Sequence, residues 1–265
     1  MIDLVFGTDS ASLNFIILNK GGGEFTEAID LPDTPNDDHL SWTFGFAIAD
    51  VNNDSALDIV IANWAVDEVL LNLLPVDSSS FGAALSLPGD DNRATTWSMA
   101  FGDFNQPQDG FIDIVVGNSN GTDQILLNSG DGSFLEEVID LPTSLSSSST
   151  RAVAVGNIVG DSNDKLPDIV VCGDDGCEVL INNGDLTFHP ISLSGLRSEA
   201  IGIGDVNNDT FMDVIIGGYG SDGDLLFIND NGTFSTDNSI KLPELDATNG
   251  DTRSIALADF NGDNW

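Results

Sequence analysis

Short runs of apolar residues, separated by polar turns, recur along the whole chain and predict β-strands. The clearest runs are β-branched and nearly continuous, as expected for strands that are buried on both faces. They read DLVFG, DIVIA, DIVVG, DIVVC and DVIIG, and they begin at Asp3, Asp58, Asp113, Asp168 and Asp213. No segment has the 3.6-residue period of an amphipathic helix. The pattern therefore predicts an all-β fold in which one unit is repeated.

A second type of strand precedes these runs, on the other side of a polar loop. In this strand small residues alternate with larger apolar residues. The small residues are Ala47, Ala100, Ala154, Gly202 and Ala256. Because successive side chains of a strand point to opposite faces, the pattern predicts one packed face and one face too crowded for large side chains.

A third strand ends in a recurrent asparagine, and a turn then leads to a phenylalanine that opens a fourth strand. The asparagines are Asn19, Asn72, Asn128, Asn182 and Asn229, and the phenylalanines are Phe25, Phe81, Phe134, Phe188 and Phe234. Four short strands in about 50 residues are typical of a β-propeller blade. We predict one domain, 1–265, of four-stranded antiparallel blades, with units at approximately 3–57, 58–112, 113–167, 168–212 and 213–265.

The loop between the first two strands carries the candidate chemistry. DVNNDSALD places Asp50, Asn52, Asp54 and Asp58 at positions 1, 3, 5 and 9 of a nine-residue loop, and the backbone carbonyl of Ala56 is available at position 7. Calcium takes 6–8 oxygen ligands in irregular geometry, which short alternating Asp and Asn side chains provide. The loop recurs as DVNNDTFMD, and its candidate ligands are Asp205, Asn207, Asp209, Phe211 (through its carbonyl) and Asp213.

Three further copies of the loop depart from this pattern. An insertion of two residues leaves Asp103, Asn105, Asp109 and Asp113 available as ligands. The next copy is eroded, and we expect a weak or empty site from its remaining ligands, Asp161, Asp164 and Asp168. The last copy supplies Asp259, Asn261 and Asp263. An EF-hand is excluded because Ile61 and Ile216 occupy position 12, where a bidentate Glu is required, and because strands flank the loop.

Together these motifs resemble the FG-GAP/VCBS repeats, the calcium-binding propeller blades of integrin α subunits and of many secreted proteins. The resemblance covers essentially the whole chain, although the literal FG…GAP string is absent. It implies that the loops bind Ca²⁺ and that the complete ring has seven blades. Two arrangements are open: a piece of such a ring, which we favour, or a closed ring of five blades. The start of the chain has no features of a secretory signal and corresponds to the middle of a repeat, so we expect the true N-terminus, with or without a signal, to lie upstream.

The amino-acid composition limits the classes of partner that the protein can bind. The chain has 7 basic against 44 acidic residues and a formal charge of −37, which argues against binding to nucleic acid or to an anionic membrane. Of the acidic residues 36 are Asp, which fits turns and metal loops, although adaptation to salt is a compatible explanation. Cys172 and Cys177 face each other across a predicted four-residue hairpin loop, where a disulfide and two free thiols are both reasonable.

We interpret the chain as a non-catalytic calcium-binding propeller that acts as an extracellular or cell-surface scaffold, with a periplasmic location as the alternative. Its expected partner is a protein or a glycan bound on one rim, without membrane insertion. The alternative function is the propeller portion of a secreted carbohydrate-active enzyme, such as a polysaccharide lyase. No Gly-x-Ser-x-Gly elbow, P-loop or histidine cluster supports catalysis. We expect Trp42, Trp64 and Trp97 to pack in the core or between blades, with a platform for a sugar as the less favoured alternative. For Arg151 and Arg253 we expect hydrogen bonds between blades, with contact to an anion as the less favoured alternative.

Overall fold

The computed structural model describes residues 3–8, 13–32, 42–64, 66–73, 81–89, 95–105, 107–145, 150–159, 166–220, 222–234, 239–243 and 250–260. Within these ranges every element is a β-strand, and none is a helix long and apolar enough to cross a membrane. The strands form successive antiparallel sheets in chain order, which confirms the predicted β-propeller.

Four sheets have four strands each and are referred to as blades 1 to 4. Blade 1 contains β6 (Thr43–Ala49), β7 (Asp58–Asn63), β8 (Glu68–Leu70) and β9 (Leu85–Ser86). Blade 2 contains β10 (Thr96–Gly102), β11 (Asp113–Asn118), β12 (Gln124–Asn128) and β13 (Phe134–Asp140). Blade 3 contains β14 (Thr150–Gly156), β15 (Asp168–Gly173), β16 (Gly176–Asn182) and β17 (Phe188–Ser194). Blade 4 contains β18 (Ser198–Gly204), β19 (Asp213–Gly218), β20 (Leu225–Phe227) and β23 (Ile240–Lys241).

The remaining strands belong to a partial sheet and two small hairpins. The partial sheet, which precedes blade 1, contains β1 (Leu4–Phe6), β2 (Phe15–Ile17) and β5 (Ile29–Asp30). The hairpins are β3 (Asn19–Gly21) with β4 (Glu24–Phe25), and β21 (Asn229–Asp230) with β22 (Thr233–Phe234). Each blade starts with the small-residue strand, whereas the predicted units start with the following strand, so sheets and units are offset by one strand.

The core lies between blades rather than within them. The second strands β7, β11 and β15 are buried along their whole length, as their continuous apolar sequences predict. Four apolar clusters each join neighbouring sheets; Val60 and Val69 of blade 1, for example, pack with Ile114 and Leu126 of blade 2. A single blade therefore cannot complete its own core, because both of its faces need a neighbour.

Small residues in the first strands let adjacent blades approach. A Cβ atom on Gly202 would lie 2.6 Å from Leu257 and 2.7 Å from Ile255, and one on Gly102 would lie 3.1 Å from Val155 of the next blade. Distances below about 3 Å do not occur for real Cβ atoms without displacement of a neighbour. The predicted crowded face of the first strand is thus the contact with the following blade.

Cys172 and Cys177 form a disulfide in blade 3, with a Cα–Cα distance of 4.1 Å. The two cysteines are directly paired across β15 and β16, and both are fully buried. Gly173 also pairs with Gly176, so only Asp174 and Asp175 form the turn. The predicted four-residue hairpin loop is therefore wrong by one residue pair, because the ladder continues beyond the disulfide.

Candidate metal loops and ligand rim

In each of the four blades, the loop with the predicted metal ligands connects the first and second strands. These loops therefore lie at one end of the blades, and the starts of the first strands lie at the opposite end. This placement follows from antiparallel pairing, because the first strand runs toward the loop and the second strand runs away from it.

The two intact loops, 50–58 and 205–213, have the same hydrogen-bond network. In each, the first aspartate accepts backbone N–H groups with both oxygens. Asp50 Oδ1 accepts from Asp54 N at 3.1 Å and Asp50 Oδ2 from Ser55 N at 2.8 Å. Asp205 repeats both contacts at the same distances with Asp209 and Thr210. The sequence thus folds each loop around its first carboxylate.

The third- and fifth-position side chains of these loops also contact each other. Asn52 Nδ2 donates to Asp54 Oδ2 at 3.0 Å, and Asn207 Nδ2 donates to Asp209 Oδ2 at 2.8 Å. The tight curvature requires left-handed backbone at Ser55 (φ 72°), and the corresponding residue of the inserted loop is Gly110 (φ 82°). Glycine adopts this conformation without steric cost.

The last aspartate of each of these four loops is buried and connects the loop to the third strand; we call these residues the clamp aspartates. One carboxylate oxygen of each accepts the N–H of the loop's second residue, and the other accepts the N–H of the recurrent asparagine. In blade 2, for example, Asp113 accepts from Phe104 N at 2.8 Å and from Asn128 N at 2.9 Å. The same pairs of contacts occur at Asp58, Asp168 and Asp213. Asp3 retains one of them, to Asn19 N.

Burial changes the pKa of several clamp aspartates. Desolvation raises the pKa of Asp113 to about 6, against the opposing effect of its two backbone N–H donors. Burial likewise raises the pKa of Asp58 and of Asp213. A carboxylate without water around it binds its proton more tightly, and a cation in the adjacent loop would counteract this effect.

The inserted loop of blade 2 leaves two oxygens without a donor. Asp103 Oδ1 and Asn105 Oδ1 are inaccessible to solvent and accept no hydrogen bond from any residue that the structure describes. In the intact loops the N–H of the fifth residue donates to both corresponding oxygens. The insertion withdraws that N–H, so these oxygens need another partner, which a hard cation or a water would provide.

The predicted ligands differ in how far the structure brings them together. Asp50, Asn52, Asp54 and their counterparts in loop 205–213 are assembled around one turn, and Asp103, Asn105 and Asp109 are adjacent in blade 2. Asp168 has the same clamp contacts as the other blades, whereas Asp161, Asp164, Asn261 and Asp263 lie outside the described residues. Asp259 is exposed. Ala56 is buried and Phe211 half-buried, and a carbonyl contribution from either remains a prediction.

Calcium fits these loops chemically, although the described part of the chain contains no group of three or more acidic, histidine or cysteine side chains arranged as a metal cluster. The loops combine carboxylates with amide and backbone oxygens, and hard cations accept all of these ligands. Together with the two unpartnered oxygens in blade 2, the donor set is compatible with Ca²⁺.

Contacts between blades include a pair of residues that the sequence analysis missed. Thr96 Oγ1 of blade 2 donates to Asp67 Oδ2 of blade 1 at 2.6 Å, and Thr150 Oγ1 of blade 3 donates to Asp123 Oδ2 of blade 2 at 2.7 Å. A signal was present, because a hydroxyl residue stands seven positions before the first ligand in every copy. These residues are Thr43, Thr96, Thr150, Ser198 and Thr252.

The end of the blades opposite the loops carries a row of aromatic and arginine side chains. We call it the rim row and define it as Trp42, Phe44, Trp64, Trp97, Arg151 and Arg197. Phe44 stacks on Trp97 with ring centroids 4.6 Å apart, and the guanidinium carbon of Arg151 lies 4.3 Å from the Trp97 ring centroid. At the far end of the row, Arg197 lies 3.8 Å from the ring centroid of Tyr219.

Part of the rim row is positioned by β-bulges. Each of the four first strands has a register shift around its second residue. Those second residues are Phe44, Trp97, Arg151 and Glu199. A bulged residue leaves the regular alternation of the strand and can point its side chain in a new direction. The repeat therefore delivers one variable side chain per blade to this end.

Ion pairs link the arginines at the end of the row. Asp174 lies between Arg151 (3.4 Å) and Arg197 (3.0 Å), and Glu199 lies between Arg197 (2.7 Å) and Arg253 (3.0 Å). Arg253 belongs to the segment after blade 4, so its contact with Glu199 of β18 joins that segment to blade 4. The contact of Arg197 with Asp174 joins blade 4 to blade 3. In contrast, Arg151 pairs within its own blade and reaches blade 2 through Trp97.

Trp42 and Trp64 are not core residues: they contact each other at the end of blade 1 and stay about half exposed. Trp42 is 47% exposed and Trp64 is 54% exposed, and none of the four apolar clusters contains Trp42, Trp64 or Trp97. Trp97 is half-buried between Phe44 and Arg151. Trp97 lies at a β-bulge, whereas Trp42 directly precedes β6 and Trp64 directly follows β7, so neither of these two lies on a regular strand face.

Comparisons with known proteins agree with this architecture. The model of the FG-GAP-like repeat family matches residues 162–216 and 205–265. Comparison with curated protein sequences gives no match. Among solved structures, the chain is similar to an Agrocybe aegerita lectin that was solved for its recognition of non-reducing terminal N-acetylglucosamine. The TM-score is 0.57 at 18% identity, over 88% of this chain and 65% of the lectin chain.

A second solved structure is less similar. It is that of BBS1N in complex with ARL6DN, with a TM-score of 0.46 at 15% identity over 76% of this chain and 57% of that chain. This chain thus spans less than two thirds of either structure. At such low identity, the likeness to the lectin concerns the fold alone.

Proposed function

Because this chain carries FG-GAP-like repeats on a β-propeller fold, we propose that it is a calcium-stabilised, non-catalytic scaffold that binds a glycan or a protein outside the cytosol. The observation that carries the calcium assignment is the pair of loops with identical geometry, 50–58 and 205–213, each folded around an aspartate. The clustered acidic residues follow from the repeated loops, so no catalytic role is needed to explain them.

In this proposal each bound Ca²⁺ would be held mainly by the first, third and fifth side chains of a loop. Its chemistry would be electrostatic, because it would offset repulsion between carboxylates that the loop holds together. The carboxylates of Asp58 and Asp213 accept backbone N–H groups at the end of the third strand, and they would thereby connect that strand to the metal loop. Extracellular calcium modules typically have dissociation constants of roughly 10⁻⁴–10⁻³ M, so such sites would be filled outside the cytosol.

A glycan or protein ligand is proposed from the fold and from the surface of the molecule. The similar lectin recognises N-acetylglucosamine, which shows that a related fold can present a saccharide site. A row of packed blades with variable side chains at one end is suited to ligand binding, because a scaffold positions the contact residues at a lower entropic cost. For this chain the ligand class is a proposal that rests on these two arguments.

Thermal melts of aspartate variants test the calcium assignment. Asp54→Ala and Asp209→Ala should each lower the melting temperature in millimolar calcium and change it little in excess chelator. A site filled at a hundred times its dissociation constant adds about 2.7 kcal/mol, which corresponds to roughly 5–10 °C in a protein of this size.

The matched control is Asp222→Ala, which removes an exposed aspartate outside the loops. It should behave like the unchanged protein in both media. If Asp54→Ala and Asp209→Ala lower the melting temperature equally with calcium and with chelator, the loops are structural turns and the metal assignment is wrong.

A further inference from the structure

We propose that the exposed indoles of Trp42 and Trp64, at the start of the rim row, bind a neutral saccharide. This inference rests on the proposed ligand-binding function and adds its location and ligand class. Both indoles are exposed, and their ring centroids are 5.6 Å apart in an edge-to-face arrangement. Tryptophan side chains that are exposed next to each other are candidates for ligand contact, because an indole offers a large flat apolar face and one polar N–H group.

The rim aromatic residues are not required to complete the core. The described apolar clusters lie between blades and leave out Trp42, Phe44, Trp64 and Trp97. Instead, Phe44 links the exposed pair to Trp97, with its ring centroid 6.2 Å from that of Trp64 and 4.6 Å from that of Trp97. The half-buried rings thus fix the exposed indoles from behind, so that a ligand would meet a preorganised aromatic surface.

Hydrogen-bond donors and acceptors lie next to the aromatic residues of the rim row, beginning with Arg151 on the ring of Trp97. Three arginines and three acidic residues form a chain of ion pairs, Arg151–Asp174–Arg197–Glu199–Arg253–Asp251. Their formal charges cancel, so the chain offers hydrogen-bond donors and acceptors without a net charge. An uncharged ligand with many hydroxyl groups and one apolar face matches aromatic rings beside such a set.

Charge also argues against other ligand classes. The whole chain has a formal charge of −37, which repels polyanions such as nucleic acids and sulfated glycans. A cationic peptide would be attracted to the acidic surface in general, and the neutral ion-pair chain gives it no preference for this end. Three of the four tryptophans and, with Arg253, three of the four arginines of the chain lie at this end of the blades.

The size of the exposed aromatic surface fits a saccharide better than a protein. Two half-exposed indoles offer roughly 200 Å² of apolar contact. A stable protein interface needs roughly 800 Å² from each partner. One or two sugar rings stacked on the indoles would use the available surface, whereas a protein would need a much larger apolar area around it.

The test uses the whole chain with calcium present and an array of immobilised oligosaccharides. The array includes neutral oligosaccharides ending in N-acetylglucosamine, galactose, glucose or mannose, and a sulfated set. We expect binding to at least one neutral oligosaccharide, accompanied by a change in tryptophan fluorescence in solution. Trp42→Ala and Trp64→Ala should each weaken that binding at least tenfold.

Two further variants separate binding from folding. Phe25 is 41% exposed in the β3–β4 hairpin, away from the rim row, and Phe25→Ala should bind like the unchanged protein. Trp64→Phe keeps an aromatic face and should retain binding within about threefold, so a loss confined to Trp64→Ala identifies stacking. Melting temperatures in calcium show which variants are folded.

The alternative results are distinguishable. Folded, calcium-stabilised protein that binds no neutral oligosaccharide, or binds only the sulfated set, overturns this inference while the calcium scaffold stands. Saccharide binding that survives both Trp42→Ala and Trp64→Ala places the site elsewhere and also overturns it. Conversely, saccharide binding with a melting temperature that does not respond to calcium refutes the proposed calcium role and leaves this inference intact.

Discussion

At the scale of single residues, the buried aspartates have distinct tasks. Asp113 and its counterparts hold two backbone N–H groups and so join a loop to a third strand. Asp123 instead accepts Asn118 N at 2.8 Å within blade 2 and Thr150 Oγ1 at 2.7 Å from blade 3. Desolvation raises the pKa of Asp123 to about 6, in spite of these two hydrogen bonds. The same residue type thus serves strand pairing in one place and blade pairing in another.

The raised pKa of Asp123 predicts a pH-dependent stability. Because its pKa rises from 3.8 to about 6 on folding, the folded state binds the proton more tightly. The contribution of Asp123 to the free energy of unfolding should therefore fall as the pH rises from about 4 to 6, and stay constant above that. The total change is of the order of 1–3 kcal/mol.

Asp123→Asn isolates this effect. The amide keeps an acceptor for Asn118 N and can donate to the Thr150 hydroxyl, but it does not ionise. In urea unfolding, the variant should be as stable as the unchanged protein near pH 7, or more stable, and relatively less stable near pH 4.5. A difference between the two proteins that does not vary with pH would contradict the assignment.

At the scale of elements, the first strand of each blade performs two tasks at different positions. Its regular part packs against neighbouring blades through small residues, and its bulge places one side chain at the rim. The second strand contributes too: a Cβ atom on Gly117 in β11 would lie 2.8 Å from both Thr150 Cγ2 and Val153 Cγ1 of blade 3. Contact between blades therefore limits side-chain size on specific strand positions.

Gly117→Ala should consequently destabilise the propeller although it adds a single methyl group. Both neighbours belong to a strand whose position is fixed by its own pairing, so overpacking should cost about 1–3 kcal/mol. Gly195→Ala is the control, because no atom lies within 4 Å of its Cβ position. Urea midpoints that are equal for the two variants would show that blades 2 and 3 do not approach as closely as described.

At the scale of the whole molecule, the propeller fold joins blades that are each incomplete. Apolar clusters tie the partial sheet to blade 1 and each blade to the next, so stability is shared along the row of blades. A formal charge of −37 in 265 residues opposes this attraction between blades. Such a charge favours solubility but destabilises the compact state through self-repulsion.

Salt should therefore stabilise the protein even without a specific site. Raising sodium chloride from about 0.05 to 0.5 M in excess chelator should increase the melting temperature, because screening shortens the range of repulsion from more than about 10 Å to about 4 Å. Calcium chloride at matched ionic strength should add a further rise that magnesium chloride does not reproduce. A melting temperature that falls or stays constant with sodium chloride would show that self-repulsion is unimportant.

The sequence by itself determined the repeat, the strand types and the position of the loops. These features depend on local patterns: continuous apolar runs such as Asp58–Asn63 become central strands, and alternate Asp and Asn residues form tight loops around their own backbone. The likeness to FG-GAP-like repeats, predicted from these motifs, is confirmed by the family match within residues 162–265.

Only the tertiary structure decided which residues meet across blades and which face solvent. The recurrent hydroxyl position marks Thr150 in the sequence. Its partner Asp123 is 27 residues away and in another blade, so only the tertiary structure identifies the pair. The exposure of Trp42 and Trp64 depends on which sheets pack against the ends of β6 and β7, because the burial of a side chain is set by its neighbours. The closed ladder around Cys172 and Cys177 likewise depends on the register of two strands, which the hairpin sequence alone leaves open.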